Sequence, residues 1–349
     1  MSRPKVKCVV WDLDHTVWQG VLLEGDALAL RPGVRELIEL LDRRGILQSI
    51  ASRSDAGVAW AQVERFGLAN YFLHPQIGWG AKSEAIRTIA RRLNIGIDTF
   101  AFVDDQVFER DEVKFAMPEV RVYDAADVAR LAEEPDLTPK NVTEDARRRR
   151  EMYQADLARE QEEKSFKGPS DAFLATLGMA LTVGLAEADD LPRVEELVAR
   201  TNQLNTTGRI YGYAELEALR LSPDHRLLVA ELTDKHGSYG KIGVILIERA
   251  ADRWTIKLLL MSCRVMSRGV GGALITWLRR EAAAAGVRLL ADFRMTERNR
   301  MMYITYKFAG FSDLSDAEGG LLLEADLACV PELPAYLQLR TTLGEVPHE

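Results

Sequence analysis

Cysteine is scarce in this chain. Three in 349 residues, Cys8, Cys263 and Cys329, lie far apart, with neither metal-ligand spacing nor a disulfide framework. That excludes a thiol-built zinc site and a stapled secreted scaffold, and it fits a reducing compartment, so a cytoplasmic location is expected. Long apolar runs are also missing. The longest, such as Ile256 to Cys263, fall far short of a bilayer span, so no membrane partner is expected. No basic segment with an apolar core opens the chain, which reads as the absence of a secretory signal. Excess positive charge is absent as well: a net charge of −8 argues against nucleic acid as the main partner. What remains is an ordinary globular composition, 47% hydrophobic and 28% charged, at a length that suits two domains.

The most informative stretch is KVKCVVWDLDHT, residues 5–16. The apolar run Val6 to Trp11 reads as a buried strand of a parallel sheet, and it delivers Asp12 and Asp14 just past its carboxyl end. Two carboxylates spaced two apart repel unless a divalent cation lies between them or one is protonated. A plain acidic turn has the same local pattern, so partners further along must decide. Trp18 to Leu30 reads as a hairpin flap over this strand end. A helix follows from Val34 to Arg44, closed by Gly45, and then a strand, Ile46 to Ala51, ends on Ser52. Asp55 is placed to cap a helix over residues 56–66. Lys82 closes the loop HPQIGWGAK and precedes a helix from Ser83 to Leu93. A third buried strand, Thr99 to Val103, stops on Asp104 and Asp105. Strands and helices alternating at this pace predict βαβ units around a parallel sheet, with these polar groups on one edge of it.

The ordered set Asp12-x-Asp14-x-Thr16, Ser52, Lys82 and Asp104-Asp105 resembles the four motifs of the haloacid dehalogenase (HAD) phosphohydrolase superfamily. The resemblance implies Asp12 as the nucleophile that takes the phosphoryl group, and Asp14 as the acid and base beside it. It implies Ser52 and Lys82 as holders of the phosphoryl oxygens. Mg²⁺ would sit among Asp12, Asp14 (through its carbonyl), Asp104 and Asp105. On their own, Ser52 could close a strand and Lys82 could be a solvated lysine at a helix start.

Residues 133–141, EEPDLTPKN, mark a domain edge. The charged stretch Val142 to Lys164 reads as a connecting helix, with Asn141 and Glu144 as a capping-box variant. Its four arginines, Arg147 to Arg150, are expected on solvated faces; docking of a carrier or a phosphate is the other reading.

The second half mixes helices near Asp171 to Leu177 and Asp190 to Thr201 with antiparallel-looking strands at Arg226 to Thr233, Lys241 to Glu248 and Trp254 to Ser262. After these comes Arg268-Gly269-Val270-Gly271-Gly272-Ala273, leading into a helix. The Arg268-x-x-Gly271-x-Ala273 spacing, with Asn299, Tyr306 and Gly310-Phe311 beyond it, resembles the GNAT acyltransferase fold. The resemblance implies that the amides at Gly269, Gly271, Gly272 and Ala273, with Arg268, cradle the phosphates of coenzyme A or a phosphopantetheine arm. A GNAT-shaped module that binds nothing fits the same residues, since no general base can be assigned.

The expected architecture is therefore α/β: a HAD-type parallel-sheet domain with a small flap over residues 1–140, a helical linker over 141–170, a GNAT-like α+β domain over 171–335 and a tail over 336–349. WDLDHTVW, LNIGIDTFAFVDDQVFER, RTNQLN and SCRVMSRG together resemble FkbH-like proteins of polyketide-type pathways. That resemblance implies an enzyme that dephosphorylates a small phosphorylated acid resembling 1,3-bisphosphoglycerate and loads the glyceryl group on an acyl carrier protein. The alternative is a small-molecule phosphatase joined to an independent coenzyme-A acyltransferase. One departure matters. Many relatives carry a cysteine directly before the second-motif serine, a candidate acyl relay, whereas this chain has Ala51 there. Cys8 is expected to be buried packing, and Cys263 and Cys329 to be structural.

Overall fold

The computed structural model describes residues 4–139, 141–200, 204–297, 299–317 and 320–342. It divides into two units, 1–154 and 155–349. The division falls inside a helix rather than at either end of the expected 141–170 linker.

The first unit is built from β1 (Cys8–Trp11), β2 (Trp18–Gln19), β3 (Ala29–Leu30), α1 (Val34–Arg43), β4 (Leu47–Ser52), α2 (Ala56–Arg65), β5 (Gln76–Ile77), α3 (Lys82–Leu93), β6 (Phe100–Asp104), α4 (Val107–Ala116), β7 (Arg121–Asp124) and α5 (Val128–Leu131). Five of the strands form a parallel sheet in the order β5-β4-β1-β6-β7. The central strands are apolar on both faces because helices cover both, which is why β1, β4 and β6 are wholly buried. β2 and β3 pair as the expected hairpin flap. Asp55 caps α2, accepting from the Val58 N–H at 2.9 Å.

The charged stretch departs from expectation. Thr143, not Asn141, caps the short α6 (Glu144–Arg147) through the Ala146 N–H. Of the arginines expected in solvent, Arg149 donates to the Gly45 carbonyl. Arg150 grips Asp42 with two nitrogens at 2.9 and 3.2 Å and lies over the Tyr71 ring. They are structural ties within the first unit.

The helix α7 (Arg149–Ser165) leads into the second unit, which continues with α8 (Ser170–Leu177), β8 (Met179–Leu185), α9 (Leu191–Arg200), α10 (Tyr213–Leu221), β9 (His225–Asp234), β10 (Gly237–Arg249), β11 (Arg253–Met261), α11 (Val270–Ala284), β12 (Arg288–Phe293), α12 (Arg300–Phe308), β13 (Phe311–Ala317), β14 (Gly320–Ala325) and β15 (Leu337–Thr342). Its eight-stranded mixed sheet runs β13-β14-β12-β11-β10-β9-β8-β15. The expected tail over 336–349 differs in its described part: β15 pairs in parallel with β8 over six residues. A buried ion pair anchors α7. Arg159 donates to both oxygens of Asp234 at 2.7 and 2.8 Å, while Tyr239 donates to Asp234 and lies 3.7 Å beneath the guanidinium. Among the described residues, no helix is long and apolar enough to cross a membrane.

Candidate functional site

Parallel pairing assembles the site. Trp11 lies opposite both Ile50 and Val103, so the next residue of each strand, Asp12, Ala51 and Asp104, emerges on the same edge. The Asp12 N–H donates to the Val103 carbonyl at 3.0 Å, prolonging the ladder by one step. Lys82 is the first residue of α3, and its side chain is buried against these strand ends. Its ammonium donates to Asp12 Oδ1 and to the Ala51 carbonyl at 2.8 Å, and it lies 3.2 Å from Asp104 Oδ2. Ser52 is buried on the same edge.

Asp12, Asp104 and Asp105 can each bring a carboxylate oxygen within 4.8 Å of the others. Burial raises the Asp12 carboxyl above its ordinary range, while Lys82, the Leu13 N–H and the Ser52 hydroxyl act against the rise. Asp104 is pushed up to about 7, by burial first and then by the charge of Asp12. One lysine thus serves a cluster of three carboxylates, reaching Asp12 and Asp104, and Asp104 Oδ2 has no partner but that ammonium among the described residues. A hard divalent cation such as Mg²⁺ fits this set of oxygens.

Asp14 behaves differently. Its Oδ1 accepts from the Trp18 indole at 2.7 Å and from the Leu22 N–H at 3.1 Å, both from the flap. Of the four residues expected around a cation, its carboxylate does not join the cluster, which leaves only its carbonyl for such a role. His15 makes this possible by taking a left-handed φ of 53°. Around that bend Thr16 turns inward, where its hydroxyl accepts from the Asp105 N–H at 3.1 Å.

Sequence reasoning missed several supports. Trp18 was read only as flap. Arg110 donates to the carbonyls of Asp104 and Asp105 at 2.8 and 2.7 Å and pairs with Asp124 at 2.6 Å. Arg53 joins Glu109 at 3.1 Å to the Gly80 carbonyl at 3.3 Å. Only the i to i+6 spacing from Asp104 hinted at Arg110.

In the second unit, Arg268 to Ala273 mark the passage from a 3₁₀ turn, Cys263–Arg268, into α11. The Arg268 guanidinium is buried, paired with Glu163 at 3.1 Å and lying 5.8 Å from the Phe173 ring centre. Gly269 takes a φ of 71°, and a Cβ there would stand 2.3 Å from the Tyr336 hydroxyl; one on Gly271 would stand 2.6 Å from Met261 Cε. The left-handed backbone accounts for Gly269, whereas the tip of Met261 could move aside for a side chain at position 271. Gly272 alone faces open space. Tyr306 is fully buried among Phe293 and Phe311, and its hydroxyl has no hydrogen-bond partner among the described residues.

A further feature was not foreseen. β11 pairs with β12 only from Arg253 to Ile256, after which the two part. The gap is filled by residues 204–206. The Thr206 N–H donates to the Leu259 carbonyl, the Leu259 N–H to the Thr206 hydroxyl, and the Met261 N–H to the Leu204 carbonyl, each at 3.1 Å. On the other side the Arg294 N–H donates to the Thr206 carbonyl at 3.0 Å. Asn299, wholly buried, locks the insert by donating to the carbonyls of Asn205 and Arg294 at 3.0 and 2.9 Å. Thr201, Asn202 and Gln203 of the motif lie outside the described residues, as does the side chain of Cys263. Cys8 is buried, which drives its thiol far above the ordinary range, whereas Cys329, expected to be structural, is exposed.

No family model matches this chain, and no curated protein does. Solved structures do. The N-terminal part of a Bacteroides fragilis protein containing a phosphatase domain, complexed with Mg, is similar at 31% identity over 41% of this chain, with a TM-score of 0.34; the match spans 42% of that chain, less than half its length. The ribosomal-protein-S18-alanine N-acetyltransferase of Escherichia coli is similar at 16% identity over 44% of this chain and 97% of its own, TM-score 0.34. A HAD-superfamily hydrolase from Ehrlichia chaffeensis is similar at 13% identity over 38% and 98%, TM-score 0.31.

Proposed function

We propose that the first unit is a Mg²⁺-dependent phosphoryl-transfer enzyme of the HAD type. In this reading the whole chain removes phosphate from a phosphorylated three-carbon acid resembling 1,3-bisphosphoglycerate. It loads the glyceryl group on the phosphopantetheine thiol of an acyl carrier protein, in the cytoplasm, for a polyketide-type pathway. The observation that carries the first part is the meeting of Asp12, Lys82, Asp104 and Asp105 at one sheet edge.

The chemistry follows from the positions. An Asp12 oxygen forms a bond to phosphorus as the bond from phosphorus to the leaving oxygen breaks. Asp14, held from the flap, gives its proton to that oxygen and then takes one from the water that cleaves the aspartyl phosphate. Lys82 neutralises Asp12 before attack and the phosphoryl oxygens during it, and Ser52 donates to the same group. Mg²⁺, held by Asp12, Asp104 and Asp105, would supply charge neutralisation and orientation of the phosphate. Ala51 offers no thiol and Cys8 is buried, so in this scheme the carrier thiol itself attacks the acyl carbon of the acyl phosphate, the carbon–oxygen bond breaks to release that phosphate, and Asp12 takes the remaining phosphoryl group from its ester oxygen.

The insert at 204–206 engages the N–H and carbonyl of Leu259 and the N–H of Met261. The deciding experiment is intact-protein mass spectrometry of a carrier incubated with the chain, Mg²⁺ and a bisphosphoglycerate source. A mass gain of one glyceryl group is expected, and the Asp12→Asn chain should yield none. Phosphate-free loaded carrier made by Asp12→Asn would rule out Asp12 as the nucleophile.

A further inference from the structure

One arginine ties together the three loops that carry the phosphoryl-transfer residues. Arg53 directly follows Ser52. Its Nε donates to the carbonyl of Gly80, just before Lys82, at 3.3 Å, and its Nη1 pairs with Glu109 Oε1, one turn into α4 beyond Asp105, at 3.1 Å. In the sheet, β1 lies between β4 and β6. A residue at the end of β4 that meets one on the helix after β6 therefore bridges the two neighbours of the strand that delivers Asp12. The loop before Lys82 is drawn to the same edge, where the Gly78 N–H donates to the Ser52 carbonyl at 3.0 Å.

This bridge forms an outer layer of the site. The Arg53 side chain is 39% exposed, whereas those of Lys82 and Asp12 are 4% and 6% exposed. Glu109 is buried and anchors the guanidinium from the inside. The polar groups of this corner are not used up. Arg53 Nη2 makes no hydrogen bond among the described residues, and Glu109 Oε2 and Ser54 Oγ are buried without a hydrogen-bond partner. Arg110, beside Glu109 on α4, has no such freedom, being committed to the carbonyls of Asp104 and Asp105 and to Asp124.

A guanidinium carries five N–H donors in a rigid plane and keeps its charge, so one anchored by a carboxylate and a carbonyl still has donors for an oxyanion. The transferred phosphoryl group has Lys82, Ser52 and the cation. An outer arginine suits a second anionic group on the same molecule. We propose that Arg53 binds the far end of the substrate, a phosphate or carboxylate group on the small molecule whose phosphoryl group Asp12 takes, with Glu109 as its positioning residue. Arginine's planar fork matches the oxygens of either group. The assignment rests on the phosphoryl-transfer reading of this edge, and it names the residue that would make a doubly anionic compound the better substrate.

The test measures phosphate release by the full chain with Mg²⁺ from three compounds of equal carbon length. Glycerol 3-phosphate has a neutral far end, 3-phosphoglycerate a carboxylate and glycerol 1,3-bisphosphate a phosphate. The parent chain should show a kcat/KM about tenfold higher on a charged-end compound than on glycerol 3-phosphate, and the compound preferred identifies the group. Arg53→Gln should lose about tenfold to a hundredfold more on that compound than on glycerol 3-phosphate, mostly through KM, and Arg53→Lys should recover part of the loss. Glu109→Gln should move the ratio between the two substrates in the same direction by a smaller factor; a purely structural role would lower both alike. Equal losses of Arg53→Gln on all three compounds would assign Arg53 to the transferred group or to the fold and overturn the proposal, as would a parent with no preference for a charged end. A parent that releases phosphate from none of them sinks the phosphoryl-transfer reading itself, and the role of Arg53 with it.

Discussion

The two units end their central strands in opposite ways. At the edge of β1 and β6, three carboxylates gather around a single lysine that reaches two of them, so negative charge is in excess. At the parting of β11 and β12, the backbone groups of Leu259, Met261 and Arg294 are met by the chain's own residues 204–206, with Asn299 as the lock. Buried polar groups are costly when unmatched, so a fold retains them only where something else completes them. The first edge is built to receive; the second is closed. Resemblance of both halves to enzyme folds would not have separated these cases, whereas the tally of donors and acceptors does.

That contrast can be attacked at several points. Lys82→Met should have the largest effect, lowering phosphate release by about 10²–10³-fold in a steady-state assay. It should also lower the stability of the cation-free chain by about 3 kcal/mol, because two buried carboxylates lose their counter-charge, and Mg²⁺ should restore part of that loss in a melting experiment. Arg159→Met breaks a comparably buried pair in the second unit and should cost about 3–5 kcal/mol, with no recovery on adding Mg²⁺. Recovery there would erase the distinction between the two edges. Asn299→Ala should cost about 1–3 kcal/mol and speed hydrogen exchange at the Leu259 and Met261 amides, leaving phosphate release unchanged. Trp18→Phe removes one of two donors to Asp14 and should slow turnover by no more than about tenfold, with KM little altered.

The smallest effect, and the most diagnostic, is the direction of pH dependence. For Asp234, burial alone would raise the carboxyl, but Arg159, the His236 N–H and Tyr239 bring it below the ordinary range. Its contribution to stability is present above that range and is lost as pH falls through it. Asp104, raised to about 7, works the other way in the cation-free chain. The folded state holds its proton longer than the unfolded chain does, so its contribution falls as pH rises from the ordinary carboxylate range toward 7. Denaturant titrations from pH 4 to 7 in EDTA should show Lys82→Met and Arg159→Met both making stability fall more steeply as pH rises, because each removes the cation that opposes the effect of burial on a carboxyl.

Much of the first edge was legible because each component is local. An apolar run that stops on Asp12, another on Ser52 and a third on Asp104 can each be recognised without knowing the rest, and parallel pairing then brings them together. Lys82 was legible for the same reason, although it proved to be the first residue of α3 rather than the end of a loop. What escaped was everything decided at long range. Nothing near Asn205 announces that it will lie beside Leu260, or that Asn299 will reach its carbonyl. Arg150 read as solvated because its partner, Asp42, lies 108 residues earlier. Gly269 read as part of a phosphate cradle, since the left-handed φ that independently favours glycine there is invisible in sequence.

β15 carries a consequence of its own. Six residues that looked like a trailing end lie along β8 and satisfy the outer row of its N–H and C=O groups. Were they trimmed away, β8 would become a bare sheet margin, open to pairing with any other strand that met it, including one from another molecule of the same protein. The segment thus replaces apolar β8 as the sheet margin with a strand whose Gln338, Arg340, Thr341 and Thr342 are exposed, a margin less prone to self-association. A shortened version ending before Leu337 would show the defect first as loss of soluble yield, before any change in chemistry.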